Sequence, residues 1–200
     1  MTMKARGRTI LALAAASLPL AGCISFGAKP PETLLTIAST QPVAVGAAQS
    51  SAAARTVTVA VPAVPQALAT NRVPVQATPT TIAYVKEALW AEPPARLFAR
   101  LVADTLTART GRVVLTPAQS LSDPGARLGG ELRNFGLDAA SRQAVVTFDA
   151  SLIRINATNV EKRRFEARVP VAAIDAASAG PALSDAANQV AAQVADWVGR

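Results

Sequence analysis

The stretch QAVVTFDASLIRINATNVEKRRFEARVPV, residues 143–171, carries the most regular pattern in the sequence. Over residues 143–155 large apolar side chains alternate with Thr, Asp and Ser, and over residues 162–171 Phe, Ala and Val alternate with Arg and Glu. A period of two predicts β-strands that bury one face and expose the other. Residues 156–159 supply turn-forming asparagines between them, so the two strands are predicted to pair in antiparallel fashion.

A third strand is predicted directly before this pair, over residues 127–137. Gly129-Gly130 interrupts it, and paired glycines inside a strand indicate a bulge or a close approach of two backbones. The connections among the three strands are too short to contain crossover helices, which favours an antiparallel meander. Pro74 lacks an amide donor and confines its own segment to a sheet edge or an irregular pairing. The shorter extended segments predicted upstream are residues 56–61, 72–76, 80–85 and 112–115.

Two amphipathic helices complete the predicted fold. Pro93 and Pro94 suit the start of a helix, where no amide donor is needed, and Gly111 is a natural C-terminal cap, so residues 94–110 are predicted to be helical. Residues 175–181 are interpreted as a loop, with Ser184 as the N-cap of the second helix. The fold class is therefore α+β, a mainly antiparallel sheet with two helices packed on one face. The second helix docks through one apolar stripe: Leu183, Ala187, Val190, Val194 and Trp197.

Composition excludes several classes of active site. The 200-residue chain has no histidine and a single cysteine, which rules out Ser-His-Asp and Cys-His sites, His-ligated metal sites and an intrachain disulfide. Glu131, Asp149 and Glu166 lie on strand faces assigned to solvent, and nothing in the sequence brings two carboxylates into one pocket. We therefore assign no catalytic residue and no metal site, and expect no enzyme. The few aromatic residues form no stacking platform, so no nucleic-acid partner is expected.

The N-terminal region has the order of a secretory signal. Lys4, Arg6 and Arg8 precede an uncharged apolar run, residues 10–20, which is shorter than the roughly 20 residues of a membrane-spanning helix. The string Leu20-Ala21-Gly22-Cys23 then resembles the lipobox of bacterial lipoproteins. This resemblance implies cleavage before Cys23, diacylglycerol on its thiol and an N-acyl chain such as palmitate, with no other cofactor. Two or more acyl chains are enough to hold a protein stably in a membrane.

These features divide the chain into parts. Residues 1–22 are interpreted as a cleaved signal peptide, residues 23–32 as the lipidated cysteine and tether, and residues 33–200 as one domain with a flexible insertion at residues 40–54. Three of the 20 basic residues lie in the signal, which leaves 17 against 13 acidic ones, a net charge of +4. Residue 24 is isoleucine and not aspartate, which implies forwarding to the outer membrane in bacteria that resemble the best-studied lipoprotein sorters. We expect a domain on the periplasmic side of the envelope, held by lipid.

Tyr84 and the string Trp90-Ala91-Glu92-Pro93-Pro94 before the first helix resemble the signature of the ABC-type transport auxiliary lipoprotein family. This family includes the Pqi-type lipoprotein that works with MCE-domain proteins. The resemblance implies a non-catalytic component of a system that moves (phospho)lipids between the inner and outer membranes. Its implied partners are an MCE-domain protein, an ABC permease and an ATPase. ATP hydrolysis would belong to that separate subunit, since no Gly-x-x-x-x-Gly-Lys-Ser/Thr loop occurs in this sequence. Pqi-type relatives also imply a homo-oligomeric ring, with the Pro74 segment and the Gly129-Gly130 strand as candidate edges for subunit contact.

The residues of this signature allow two interpretations. Tyr84, Trp90, Glu92 and Pro93 could contact a partner, because a large aromatic side chain beside a rigid Pro-Pro corner is suited to anchoring. Alternatively, Trp90 and Tyr84 close the core over the first helix, and Glu92 benefits from the positive end of the helix dipole. The function has an alternative as well: an envelope structural or assembly lipoprotein that binds an outer-membrane protein and has no role in lipid transport.

Overall fold

The computed structural model describes residues 33–123 and 125–199. The expected signal peptide, Cys23 and the tether up to residue 32 lie outside the described residues. Within the described ranges the chain forms seven β-strands and two α-helices. Their bounds are β1 Thr56–Val59, β2 Arg72–Thr78, β3 Thr81–Leu89, α1 Pro94–Thr110, β4 Val113–Leu115, β5 Ala126–Asp138, β6 Gln143–Ile153, β7 Glu161–Pro170 and α2 Ala176–Gly199.

Strand β5 lies at the centre of a seven-stranded sheet. On one side it pairs with β6, and β6 pairs with β7, in the antiparallel meander that the alternation predicts. On its other side β1 pairs with the first half of β5 and β2 with its end, and both of these pairings are parallel, as is that of β1 with β4. The α+β class with two helices is confirmed, but the sheet is mixed. Periodicity shows which face of a strand is buried and not the direction of a partner distant in sequence.

The Pro74 segment and the Gly129-Gly130 strand, the two candidate edges for subunit contact, both lie inside the sheet. β2, which contains Pro74, lies between β3 and β5, and its register shifts between Arg72 and Pro74. β5, which contains Gly129-Gly130, is paired on both sides. Gly130 has a φ of 141°, and a side chain there would collide with the carbonyl oxygen of Asp149. The predicted irregular pairing and close approach are therefore confirmed, whereas the open edges of the described sheet are β3, β4 and β7.

Helix α1 begins and ends where its sequence predicts. Pro93 is the N-cap, Pro94 is the first helical residue, and Gly111 adopts the left-handed conformation with a φ of 64°. The Gly111 amide donates a hydrogen bond of 3.1 Å to the carbonyl of Thr107. A proline where no amide is needed and a glycine at positive φ account for the two ends.

Helix α2 begins at Ala176, well before Ser184, so the loop expected at residues 175–181 is wrong. The Asp175 carboxylate accepts a hydrogen bond of 2.8 Å from the Ser178 amide, and this bond holds the pKa of Asp175 below its ordinary value. Asp175 thus caps the helix. Pro181 costs the helix one backbone hydrogen bond, which the burial of the downstream stripe offsets. The small residues 176–181 are therefore helical because Asp175 caps the helix before them.

Both helices pack on the same face of the sheet. Phe98 of α1 meets Phe148 of β6 edge-on, with ring centroids 5.2 Å apart, and Trp197 of α2 lies 5.5 Å from Phe165 of β7. Phe148 and Phe165 are cross-strand neighbours and so face the same side. The predicted stripe of α2 is buried in this core. The opposite face, called the outer face below, carries the polar residues of β5, β6 and β7.

The expected insertion, residues 40–54, contains turns, and the side chains of residues 42–53 are exposed. Its flexibility stays a prediction. Over the part of the chain that the structure describes, no helix is long and apolar enough to cross a membrane.

Candidate functional site

Trp90 lies at the corner between β3 and α1, inside the core. Its side chain is 0% exposed and meets Phe135 edge-on at a centroid distance of 5.3 Å. Its amide donates a hydrogen bond of 2.7 Å to the carbonyl of Asn71. The indole nitrogen has no hydrogen-bond partner in the described chain, which is uncommon for a buried donor. This burial fits the interpretation in which Trp90 closes the core.

Glu92 and Pro93 lie on the surface side of the same corner and are half-buried. The Glu92 carboxylate accepts a hydrogen bond from the Arg100 guanidinium, two turns along α1, and this bond raises the pKa of Arg100. No side chain caps the first amides of α1, because its N-cap is Pro93. Glu92 is thus held by an ion pair beside the helix start, where a negative charge is also favoured by the dipole.

Tyr84 lies on the outer face of β3. Its ring is half-buried, with the Arg72 guanidinium stacked 4.0 Å above the centroid. Its hydroxyl donates a hydrogen bond of 3.5 Å to the carbonyl of Ala67, in a 3-10 turn over Gln66–Leu68. Tyr84 therefore supports that turn, whereas Trp90 supports the core on the other side of the sheet. The structure does not bring the two aromatic side chains together.

The described N-terminal segment pairs with the backbone of the Trp90 corner. The Leu35 amide donates to the carbonyl of Leu89 at 2.8 Å, and the Ala91 amide donates to the carbonyl of Leu35 at 2.9 Å. Leu35 and Trp90 thereby form an isolated parallel bridge. Around Leu34-Leu35 the chain therefore contributes a single residue of sheet pairing, next to the string from Trp90 to Pro94.

Helix α2 holds the same segment from the other side, through Gly180, Ser184 and Asn188, which share one helix face at a spacing of four. Asn188 accepts hydrogen bonds from the amide and hydroxyl of Thr40 at 2.9 and 3.0 Å, and donates to the carbonyls of Ala38 and Ser184, both at 2.8 Å. We call this arrangement, from Leu35 to Thr40 against α2, the clasp.

Gly180 leaves room for Leu35, because a Cβ at position 180 would lie 2.9 Å from a Leu35 methyl group and that side chain would have to shift. Sequence reasoning missed the clasp. The one available signal was Asn188, a polar residue on a helix whose other inward positions are apolar. A buried asparagine needs partners, and the sequence did not show which segment supplies them.

The outer face brings two carboxylates together, contrary to the expectation from sequence. Glu131 and Asp149 are direct cross-strand partners. Arg133 lies 3.6 Å from each of them, and Arg164 forms a two-point hydrogen bond to Asp149 at 2.5 and 2.7 Å. The hydrogen bond from Arg164 lowers the pKa of Asp149. Strand register places these residues together, and register is not readable from alternation alone.

A second ion pair continues along this face. Glu166 accepts a hydrogen bond of 2.7 Å from Arg168 and one of 2.8 Å from the Thr147 hydroxyl, and the Arg168 bond is the larger cause of its lowered pKa. Asp149 and Glu166 are thus ionised at neutral pH and lack a proton to donate. Among the described residues no group of three His, Cys, Asp or Glu side chains is placed to hold a metal ion.

Two solved structures with TM-scores above 0.6 show the fold. A Xanthomonas campestris protein assigned to family DUF330 is 21% identical with a TM-score of 0.69, covering 83% of this chain and 94% of that chain. An uncharacterized protein is 19% identical with a TM-score of 0.62, covering 72% and 92%. PelC from Paraburkholderia phytofirmans, a dodecamer, is 12% identical with a TM-score of 0.37, covering 80% and 95%. The comparison with curated proteins gave no significant match.

A family model described as the ABC-type transport auxiliary lipoprotein component matches residues 35–195. The match begins at Leu35, the first residue of the clasp, includes the Trp90 corner and extends to Ala195 near the end of α2. Because it spans most of the sequence, the chain belongs to the ABC-type transport auxiliary lipoprotein component family.

Proposed function

We propose that this auxiliary lipoprotein component of an ABC-type transport system serves an MCE-type system that moves phospholipids between the inner and outer membranes. The family match supports the auxiliary role, and the Tyr84 and Trp90-to-Pro94 signature, by its resemblance to Pqi-type lipoproteins, supports the MCE link. The domain acts without catalysis of its own. ATP hydrolysis and lipid export from the membrane fall to the ATPase and permease of the same system.

The anchor of the proposed function is lipid on Cys23, on the periplasmic side of the outer membrane. Leu35, where the clasp begins, lies twelve positions after Cys23. An extended chain of this length spans at most about 40 Å, at roughly 3.5 Å per residue. The clasp supports this proposal because it ends the tether at a defined point and keeps the domain within that distance of the membrane.

We assign the partner contact to Tyr84, Glu92 and Pro93, whose side chains are half-buried and therefore reachable. The indole of Trp90 is buried in the core and does not take part in this contact. A homo-oligomeric ring is part of the same proposal, with contacts at the open edges β3, β4 or β7 in place of the internal strands.

Crosslinking in membranes tests the proposal. The full-length chain, carrying an affinity tag, is crosslinked in intact cells and its partners are identified by mass spectrometry. We expect an MCE-domain protein, a permease and an ATPase, and their loss in a Cys23→Ala variant that is not lipidated. Recovery of none of these three classes would remove the main support. Normal lipid asymmetry in a deletion strain, together with failed assembly of one outer-membrane protein, would establish the assembly function instead.

A further inference from the structure

A groove of about 320 Å³ opens on the outer face beside β5. The backbone that follows β1 pairs with β5 as far as the bridge between Ala63 and Glu131, and β2 joins β5 only at Leu137. Between these points the chain leaves the sheet through the 3-10 turn Gln66–Leu68. The turn forms one wall of the groove, and the hydroxyl of Tyr84 makes a long hydrogen bond of 3.5 Å to the carbonyl of Ala67 in that turn.

The inside of the groove is mostly apolar. Its lining includes Leu68, Pro74, Ile82 and Val145. Ile82 is 49% exposed, so a large apolar side chain faces solvent on a face that is otherwise largely polar. Gly136 lies on the floor next to Pro74, and a Cβ at this position would collide with the Pro74 carbonyl. Apolar side chains that line an open concave surface are a typical feature of ligand sites.

Two guanidinium groups border this apolar surface. Arg133 and Arg168 both line the groove, and their side chains are 48% and 44% exposed. Arg133 lies 3.6 Å from its two carboxylates, beyond good hydrogen-bond distance, and keeps donors for another acceptor. Asp138 is the one acidic residue of the lining, and it lies 3.9 Å from Arg168. Among the lining residues two positive charges therefore stand against one negative charge, and Glu166, outside the lining, accepts a hydrogen bond of 2.7 Å from Arg168.

From this geometry we propose that the groove binds one acyl chain of an anionic amphiphile, with its charged head group at Arg133 and Arg168. The volume is at the lower end of the roughly 300–1,000 Å³ of small-molecule sites, which suits part of a single chain and not two chains. The chemistry of this ligand, an acyl chain with an anionic head group, is inferred from the groove without reference to the proposed function. Its source, an anionic membrane lipid, rests on the proposed function.

Photo-crosslinking of the full-length lipoprotein in vesicles tests this proposal. Ile82 is replaced by benzoylphenylalanine, and the protein is placed in phosphatidylcholine vesicles that contain radiolabelled phosphatidylglycerol. The matched control carries benzoylphenylalanine at Ile155, which is also exposed but does not line the groove. We expect labelled lipid on the Ile82 variant well above the Ile155 variant. Equal labelling of both would overturn the proposal, since it would reflect membrane proximity alone.

Charge variants separate the head-group contact from the apolar contact. Arg133→Gln and Arg168→Gln, each in the Ile82 variant, are expected to lower labelling at limiting lipid by about fivefold per guanidinium. Arg96→Gln, an exposed arginine of α1 on the other side of the sheet, should leave it unchanged. Equal labelling by radiolabelled phosphatidylcholine, or no effect of either arginine variant, would refute the anionic head group. Partner recovery in the crosslinking experiment is independent, so the two proposals fail separately.

Discussion

Replacing Asn188 with alanine tests whether the clasp is a single unit. The wild-type side chain is 9% exposed and makes three hydrogen bonds to the N-terminal segment, two from Thr40 and one to Ala38. Each neutral bond contributes about 0.5–1.5 kcal/mol net, and because the two bonds from Thr40 share one acceptor oxygen, their sum lies toward the lower end. We therefore expect the free energy of opening the clasp to fall by about 2 kcal/mol.

Hydrogen exchange of backbone amides measures this opening directly. The Thr40 amide loses its acceptor in the variant and is therefore uninformative. The reporters are the amides of Leu35 and Ala91, which donate to the carbonyls of Leu89 and Leu35 and not to Asn188. A loss of about 2 kcal/mol lowers their protection about thirtyfold if the segment opens as one unit. Gln193→Ala, an exposed amide side chain of α2, is the control and should change nothing. Unchanged protection of Leu35 and Ala91 in Asn188→Ala would refute the clasp as a cooperative element.

Two further predictions concern the core and the outer face. Trp90→Ala removes a fully buried ring and its contact with Phe135, so urea unfolding should show a loss of about 4 kcal/mol; a loss under about 1 kcal/mol would contradict its place in the core. The hydrogen bond from Arg164 lowers the pKa of Asp149 in the folded state. The ion pair therefore stabilises the fold fully above the unfolded-state pKa of about 3.9, and this stabilisation is lost as the pH falls through the lower folded-state pKa. Asp149→Asn should therefore cost up to about 1 kcal/mol at neutral pH and nothing in strong acid, and a pH-independent cost would exclude the ion pair as its cause.

Local signals in the sequence were sufficient for the elements whose ends are set by backbone chemistry. Helix α1 was predictable residue by residue because proline restricts φ and Gly111 tolerates a positive φ, and both effects are local in sequence. The β5–β6–β7 meander was predictable because short connections permit only antiparallel pairing. The start of α2 was missed because Asp175 was interpreted as part of a loop and not as a cap.

Pairing between distant segments was not predictable in the same way. The parallel pairing of β1 with β5, and the contact of Glu131 with Asp149, depend on register set by the whole core. The clasp depends on the approach of residues nearly 150 positions apart, such as Thr40 and Asn188. Alternation and capping carry no information about such contacts.

The family signature has a structural reason that its sequence alone did not reveal. Trp90 is fully buried, its amide bonds to Asn71, and its neighbours Leu89 and Ala91 pair with Leu35. The corner thus fixes the position of Leu35, where the described N-terminal segment joins the sheet. Positions that do so are constrained by packing, whereas positions that recognise a ligand must remain accessible. Ligand recognition is therefore to be sought on the outer face, where Tyr84 supports the groove wall, and not at the indole of Trp90.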